Sequence, residues 1–399
     1  MKQLNHGGWK LGLAVALAGA SSLGAQWDVT GTVRAEVRSF FDTPGGEDPF
    51  NGADGSVALE FELIHDWPDA DWRMTMEPFA RFDARDGQRR YFDLREFMFL
   101  KTADQWDLRI GVGKVFWGVT ESQHLVDVIN QTDFRETIDG ESKLGQPMVN
   151  FDWITQRAGT VGLYYLPYFR EREFPGPEGR LRPAPPTEFV KPSYAASGEA
   201  WHPGWAVRWA HSLGAFDMGV YHFDGYNREP SYEPASDGKL RPVYRLMRQQ
   251  GVDLQWTHDA WLVKTEVLAR QTAHGDHLAS VSGFEYTFYG LLGSAIDVGL
   301  IGEYHHDDRG ASAPTLFNDD LFAGARLAWN DAQDTSLLAG VFHDRERGSQ
   351  SWRAEFQRRL GQNFRLDIEA QVFDADPRDS AMLGLGRDSF LRLELSRYF

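Results

Sequence analysis

Val29, Val33, Ala35 and Val37 share one parity near the start of the chain, and Thr30, Thr32, Arg34, Glu36 and Arg38 take the other. Successive residues of a strand point to opposite faces, so this stretch is a strand with one apolar and one charged side. The rhythm returns at the far end. Phe364, Leu366, Ile368, Ala370 and Val372 alternate with Arg365, Asp367, Glu369 and Gln371, and in SFLRLELSRYF the residues Leu391, Leu393, Leu395 and Phe399 oppose Arg392 and Glu394. Followed along the whole chain, the pattern predicts eighteen strands: 27–41, 55–66, 72–85, 91–103, 106–117, 146–155, 158–169, 205–212, 216–226, 243–257, 261–272, 279–290, 295–307, 320–329, 335–345, 351–359, 363–374 and 389–399. The fold class expected is all-β.

The connectors narrow that further. WPDADW, TADQW, SLGAF, THDAW and LGQNF are tight turns. Between them lie long stretches: DTPGGEDPFNGADG, residues 119–145, residues 170–204 with seven of the chain's 18 prolines, REPSYEPASDGKLRP, RGASAPTLFND and PRDSAMLGLGRD. Short turns on one rim and long loops on the other are the pattern of a closed antiparallel transmembrane β-barrel. An even number of strands also returns both termini to the short-turn rim. The organisation expected is one barrel domain over 26–399, with 170–204 as a stiff, Pro-rich surface loop that folds over the mouth.

Composition fits a membrane barrel. Aromatic residues make up 14% of the chain, with 14 Trp, yet mean hydropathy is −0.45. Alternate residues facing lipid and a wet lumen reconcile the two values. No stretch is apolar for about 18 residues, so no transmembrane helix is expected. The start is different: MKQLNHGGWK carries Lys2 and Lys10 and no acid, LGLAVALAGA is apolar, and SSLGA is small. Residues 1–25 therefore read as a secretory signal peptide. Net charge is −17, and losing Lys2 and Lys10 leaves the exported chain more acidic still, which argues against nucleic acid as a partner. Cysteine is absent, so disulfides, thiol catalysis and thiolate metal sites are excluded.

With terminal Phe399 preceded by Leu395, Leu393 and Leu391 at alternate positions, the chain resembles Gram-negative outer-membrane barrels of the porin type, whose last strand carries the barrel-assembly signal. Arg397 departs from that pattern, standing where an apolar residue is usual. WGVTESQHLVDVINQTD (117–133) also resembles a stretch of uncharacterised porin-like barrels related to alginate-export channels. The resemblance implies an outer-membrane location, lipid and lipopolysaccharide around the wall, the barrel-assembly machinery as a partner, a small polar solute as cargo, and a monomer. It also implies that the third long loop, 119–145, folds into the lumen and narrows it.

That loop holds most of the candidate chemistry. Thr120 or Ser122 can cap a helix, and Leu125, Val126 and Ile129 lie at helical spacing. A short amphipathic helix would rest that stripe on the inner wall and turn Asp127, Asn130, Gln131, Asp133 and Arg135 towards the water path. Glu121, His124 and Asp127 would also sit on neighbouring turns, as metal ligands can, but a dinuclear site needs a second such set and none is present. No HEXXH or G-x-S-x-G motif occurs, and Ser122 beside His124 is sequence adjacency only. His305 and His306 are adjacent in a strand and point to opposite faces. GGEDPFNGADG has the composition of a calcium loop without its spacing. No cofactor, metal site or enzymatic role is expected.

The inward rows mix cations and acids: Arg34, Glu36, Arg38, Arg73, Glu77, Arg81, Asp83, Arg109, Lys264, Glu266, Arg270, Arg353, Glu355, Arg365, Asp367 and Glu369. A cross-strand lattice of ion pairs accounts for most of these. Arg34, Arg38, Arg73, Arg81 and Arg109 belong to the early strands beside the third loop, and an arginine track facing loop acids would create a transverse field. The candidate pore-lining residues are therefore these five arginines with Glu121, His124, Asp127, Asn130, Asp133 and Arg135. The function expected is a porin-like channel for diffusion or selective uptake of small polar or anionic solutes. A conduit for polymer export, a barrel enzyme and a non-conducting structural barrel are the alternatives.

Overall fold

The structure is a computed structural model describing residues 27–42, 52–182, 189–273, 275–313, 315–379 and 382–399. The expected signal peptide, part of the first long loop and 183–188 of the Pro-rich loop lie outside the described residues.

The eighteen strands are β1 (Trp27–Phe40), β2 (Ala53–Trp67), β3 (Trp72–Asp83), β4 (Tyr91–Ala103), β5 (Trp106–Gly113), β6 (Gln146–Thr155), β7 (Gly159–Leu166), β8 (Gly204–Leu213), β9 (Phe216–Tyr226), β10 (Leu246–His258), β11 (Trp261–Thr272), β12 (Gly275–Phe288), β13 (Asp297–Asp307), β14 (Asp319–Ala328), β15 (Ser336–Asp344), β16 (Gln350–Leu360), β17 (Phe364–Asp374) and β18 (Phe390–Tyr398). Each pairs antiparallel with the next, and β1 pairs with β18, so the sheet closes on itself. Closure leaves no strand edge open.

Parity decides what each face carries. Val29, Ile110, Leu163, Val252, Leu300 and Leu393 are large apolar side chains exposed on the outer face. Glu36, Arg81, Asp253, Glu266, Glu303 and Glu369 point inward and are buried in the lumen. At the seam Phe399 exchanges backbone hydrogen bonds with Gly31 at 2.9 and 3.0 Å. Its ring covers the glycine so closely that a Cβ at position 31 would lie 2.5 Å from it, and the ring also meets Phe61 edge-on. Arg397 faces outward beside Phe364, with its guanidinium 5.9 Å from that ring; its stem covers apolar surface and its charge reaches the rim.

Several expected bounds change. β5 stops at Gly113 and β7 at Leu166, short of the expected ends at 117 and 169, because both chains leave the wall early and turn into the barrel. β10 starts at Leu246; residues Leu240–Tyr244 belong instead to a small separate sheet with Ser231–Pro234 and Ser193–Tyr194. β12 starts at Gly275, which reduces the connector from β11 to two residues. In β4 the pairing with β3 slips between Glu77 and Pro78, so Arg95 has no partner in the register and, like Glu96, is turned inward. A bulge re-aims a side chain in this way.

Candidate functional site

Residues 114–145 leave the wall between β5 and β6 and enter the lumen. Two buried side chains brace their base. The Asn130 amide donates to the carbonyls of Gly113 (2.9 Å) and Leu144 (2.8 Å), and its oxygen accepts from the Val115 N–H at 2.8 Å. Arg228, from the loop after β9, donates to the carbonyls of Val128 (2.8 Å) and Ile129 (2.7 Å). Burial pushes the Arg228 guanidinium down to about 9, against the opposing pull of Asp127 and Tyr244. Trp117, Val126, Val128 and Ile129 then pack with Met98, Met148, Leu166, Tyr221, Phe223 and Met247, an apolar core inside the barrel. Each fully buried aliphatic side chain there contributes about 1.5–3 kcal/mol.

No helix forms in 119–145, contrary to the amphipathic helix expected. The reason is visible in where the backbone donors go. Glu266 of β11 accepts from the N–H groups of Val119 (2.6 Å), Thr120 (2.9 Å) and Val126 (3.0 Å) and from the Thr120 hydroxyl (2.7 Å). Glu303 of β13 accepts from the N–H groups of Glu121 (2.7 Å) and Ser122 (2.9 Å) and from the Ser122 hydroxyl. Two wall carboxylates thus fix the backbone on a path that is not helical, and the Val126 N–H, which a helix begun at Thr120 or Ser122 would pair internally, goes to Glu266 instead. Gly118 makes this possible: at φ +140° it adopts a backbone that L side chains rarely adopt, and a Cβ there would stand 3.0 Å from Glu266 Oε1.

The next turn meets the wall with the opposite polarity. Glu136 receives a bidentate pair from Arg81 of β3 (2.8 and 2.7 Å), a hydroxyl from Tyr91 (2.8 Å) and Arg95 at 3.5 Å. Burial alone would raise the Glu136 carboxyl, but the charges of Arg81 and Arg95 outweigh it and hold it at about 2. Asp139 pairs with Arg353 of β16. Burial would raise Asp139 as well, and Arg353 keeps it below the usual carboxylate range. One insert thus touches β3 and β4, β11 and β13, and β16. Above it, the start of the 170–204 loop runs across: Phe174 stacks on Phe134 at 5.6 Å, the Gly176 N–H donates to Asp86 at 2.9 Å, and Arg180 pairs with Asp388 at 2.6 Å.

The candidate residues separate under this geometry. Asp127, Asn130, Gln131, Asp133 and Arg135 are buried rather than turned to water. Asp127 pairs with Lys143 at 3.2 Å, Gln131 accepts from Arg172 at 3.2 Å, and Arg135 pairs with Asp133 at 2.8 Å and lies 3.7 Å over the Tyr91 ring. Glu121, His124 and Asp127 do not converge on one point. Glu121 pairs with Arg326 of β14 at 2.6 Å, and His124 with Glu141 at 3.2 Å. The five arginines do not form a track facing loop acids across water. Arg34 pairs with Glu60, Arg38 with Glu36 at 3.5 Å, Arg73 with Asp66 at 2.7 Å at the turn after β2, Arg81 with Glu136, and Arg109 with Asp152. Only Arg38 and Arg81 touch the insert; opposite charges meet directly and their far fields cancel.

Glu303, Arg228 and Glu136 were not singled out from the sequence, Glu266 only as one of the inward row, and His305 only as half of an adjacent pair whose side chains point to opposite faces. His305 faces inward and meets the Ser122 hydroxyl at 2.7 Å and Gln123 at 3.2 Å. The Ser122 hydroxyl stands between this imidazole and Glu303, which also accepts from the Ser122 N–H.

No family model matches the sequence, and a search of curated proteins finds no match. Solved structures do match in shape. OccAB3 of Acinetobacter baumannii superposes with a TM-score of 0.53 at 10% identity, covering 94% of this chain and 99% of that one. OccK11 (OpdR) of Pseudomonas aeruginosa gives 0.55 at 8% identity, covering 94% and 96%. A BenF-like porin from Pseudomonas fluorescens Pf-5 gives 0.55 at 9% identity, covering 94% and 98%. At such identities the likeness shows a shared fold, the closed barrel of Gram-negative porins.

Proposed function

We propose that the chain is a narrow channel of the Gram-negative outer membrane for small polar or anionic solutes, with residues 119–145 as its constriction and 170–204 as cover over the mouth. The observation that carries this reading is an insert bound to opposite walls inside a closed eighteen-strand barrel. Eighteen strands leave room for an aqueous path, and a loop anchored on both sides divides that room into small passages. The porin among the structures of like fold agrees with it. Lipopolysaccharide around the apolar wall, assembly through the terminal Phe399 and a monomeric barrel belong to the same proposal.

The crossing insert speaks against polymer export, which needs one continuous bore. A second reading, a non-conducting scaffold, is favoured by the apolar core that the insert builds inside the lumen. Planar-bilayer recording of the refolded protein separates the two: discrete conductance steps support the channel, and a folded but silent barrel supports the scaffold. Liposome swelling with anions, sugars and amino acids then ranks solutes.

A further inference from the structure

The two-residue rule makes most inward positions polar; apart from the wall residues packed on the insert around Trp117, it also breaks on the wall of β14 to β17. Along β17 the inward row runs Arg365, Asp367, Glu369, Gln371 and then Phe373; Phe322 of β14 and Phe342 of β15 also point inward, paired across strands with ring centroids 4.7 Å apart. Local violations of a fold's own pattern mark candidate functional sites. Here Phe342 and Phe373 border a cavity, open to solvent, between the insert, the segment after β13 and the wall of β14 to β17. Its apolar lining is Ile138, Leu316, Phe317, Phe342, Phe373 and Met382.

Its polar lining falls into two kinds. The charged groups are engaged: Arg353 is shared among Asp139, Glu355 and Glu369, and Asp320 accepts from the N–H groups of Asn318 and Asp319. Two neutral groups are not. Gln371 and Ser351, each 7% exposed, line the cavity, and neither the amide nor the hydroxyl bonds to any described residue. Neither side chain seals its polar atoms away from solvent, and the two stand beside each other's cross-strand neighbours, Arg353 and Phe373. An apolar pocket with a few convergent polar groups is the usual form of a small-molecule site.

We infer that this cavity binds an uncharged, ring-sized organic molecule, its apolar body against Phe317, Phe342 and Phe373 and one hydroxyl or carbonyl on Gln371 and Ser351. A carboxylate is disfavoured, because Arg353, the only cation among the described lining residues, already faces three acids. The inference rests on the channel reading only in treating that molecule as a solute in transit.

Binding is tested with benzyl alcohol and benzoate, which share a ring and differ in head charge. Saturation-transfer NMR on the folded protein in lipid nanodiscs, corrected against empty nanodiscs, should show saturable binding of benzyl alcohol and at least fivefold weaker binding of benzoate. Gln371→Leu and the cavity-filling Ser351→Leu should each weaken benzyl alcohol at least threefold while the barrel still migrates as folded on unheated gels. Equal binding of benzoate, no saturable benzyl alcohol binding, or binding untouched by both substitutions overturns the inference. Conductance recorded in parallel keeps the cases apart: a silent barrel that binds benzyl alcohol ends the channel reading and keeps the site.

Discussion

The two ends of the insert are fixed by opposite means. At residues 119–126 the wall supplies the acids, Glu266 and Glu303, and the insert supplies mainly backbone N–H groups. At residues 136–139 the wall supplies the arginines, Arg81, Arg95 and Arg353, and the insert supplies carboxylates. A carboxylate gripping N–H groups specifies a backbone path and is indifferent to most side chains there. An arginine gripping a carboxylate specifies one side chain and can be recoded. The first attachment depends on shape, the second on charge.

The largest effect should follow loss of the backbone grip. Glu266→Ala with Glu303→Ala strips partners from five N–H groups, each such bond to a charged acceptor contributing about 1.5–3 kcal/mol. Lumen water can replace the lost acceptors, so the barrel should fold normally while residues 119–126 lift from β11 and β13. Single-channel conductance should rise severalfold with added current noise, and unchanged conductance would place the path elsewhere.

Next comes the charged end. Glu136→Gln leaves Arg81 and Arg95 buried without their shared acid, and breaking a buried pair costs about 3–5 kcal/mol. Protease cleavage within 133–140 should appear in the variant and not in the parent, with a smaller gain in conductance than at the other end, since Asn130 and Arg228 still hold the base. Arg81→Glu combined with Glu136→Arg should recover much of the protection. Glu266→Arg should have no such rescue from any single side chain, because its partners are main chain. Rescue at both ends or at neither would erase the distinction.

Acid probes the same end more gently. Glu136 is held at about 2, below the roughly 4.3 of an unfolded glutamate. A carboxyl depressed by folding contributes stability that is present above the unfolded value and lost as pH falls through the folded one. Cleavage at 133–140 should therefore stay absent at pH 4 and emerge only near pH 2. Emergence at pH 4 would mean that Arg81 and Arg95 do not govern this carboxyl.

The contrast also explains what the sequence revealed. Wall strands are legible because lipid on one side and charge on the other impose period two on every residue from Val29 to Val37 and from Phe364 to Val372. Loop 119–145 obeys no period, since its backbone donors are claimed by residues 140 or more positions away in the chain. Val126 and Ile129 read as one side of a helix and do become buried, yet no helix carries them; Val128 joins them and Leu125 instead lines a different cavity. The arginines read as a track because parity shows that they point inward. Parity cannot show that Glu60, Asp66 or Asp152 stands opposite each one, for that depends on strand register.

The smallest expected effect lies within the first end, at His124. Burial would lower this imidazole, but its hydrogen bond to Glu141, the charge of that carboxylate and those of Glu266 and Asp127 raise it overall. A histidine raised above its unfolded value of about 6.5 contributes stability that is fully present below that value and lost as pH climbs through the folded one. Glu141 is half exposed (49%), so solvent screens the pair and the contribution is a few tenths of a kcal/mol. Imidazole carbon shifts followed by NMR from pH 5 to 9 should give a midpoint above 6.5, and Glu141→Gln should lower it while leaving conductance as it was. A midpoint insensitive to Glu141 would shift the credit to Glu266, making His124 part of the backbone grip rather than a neighbour of it.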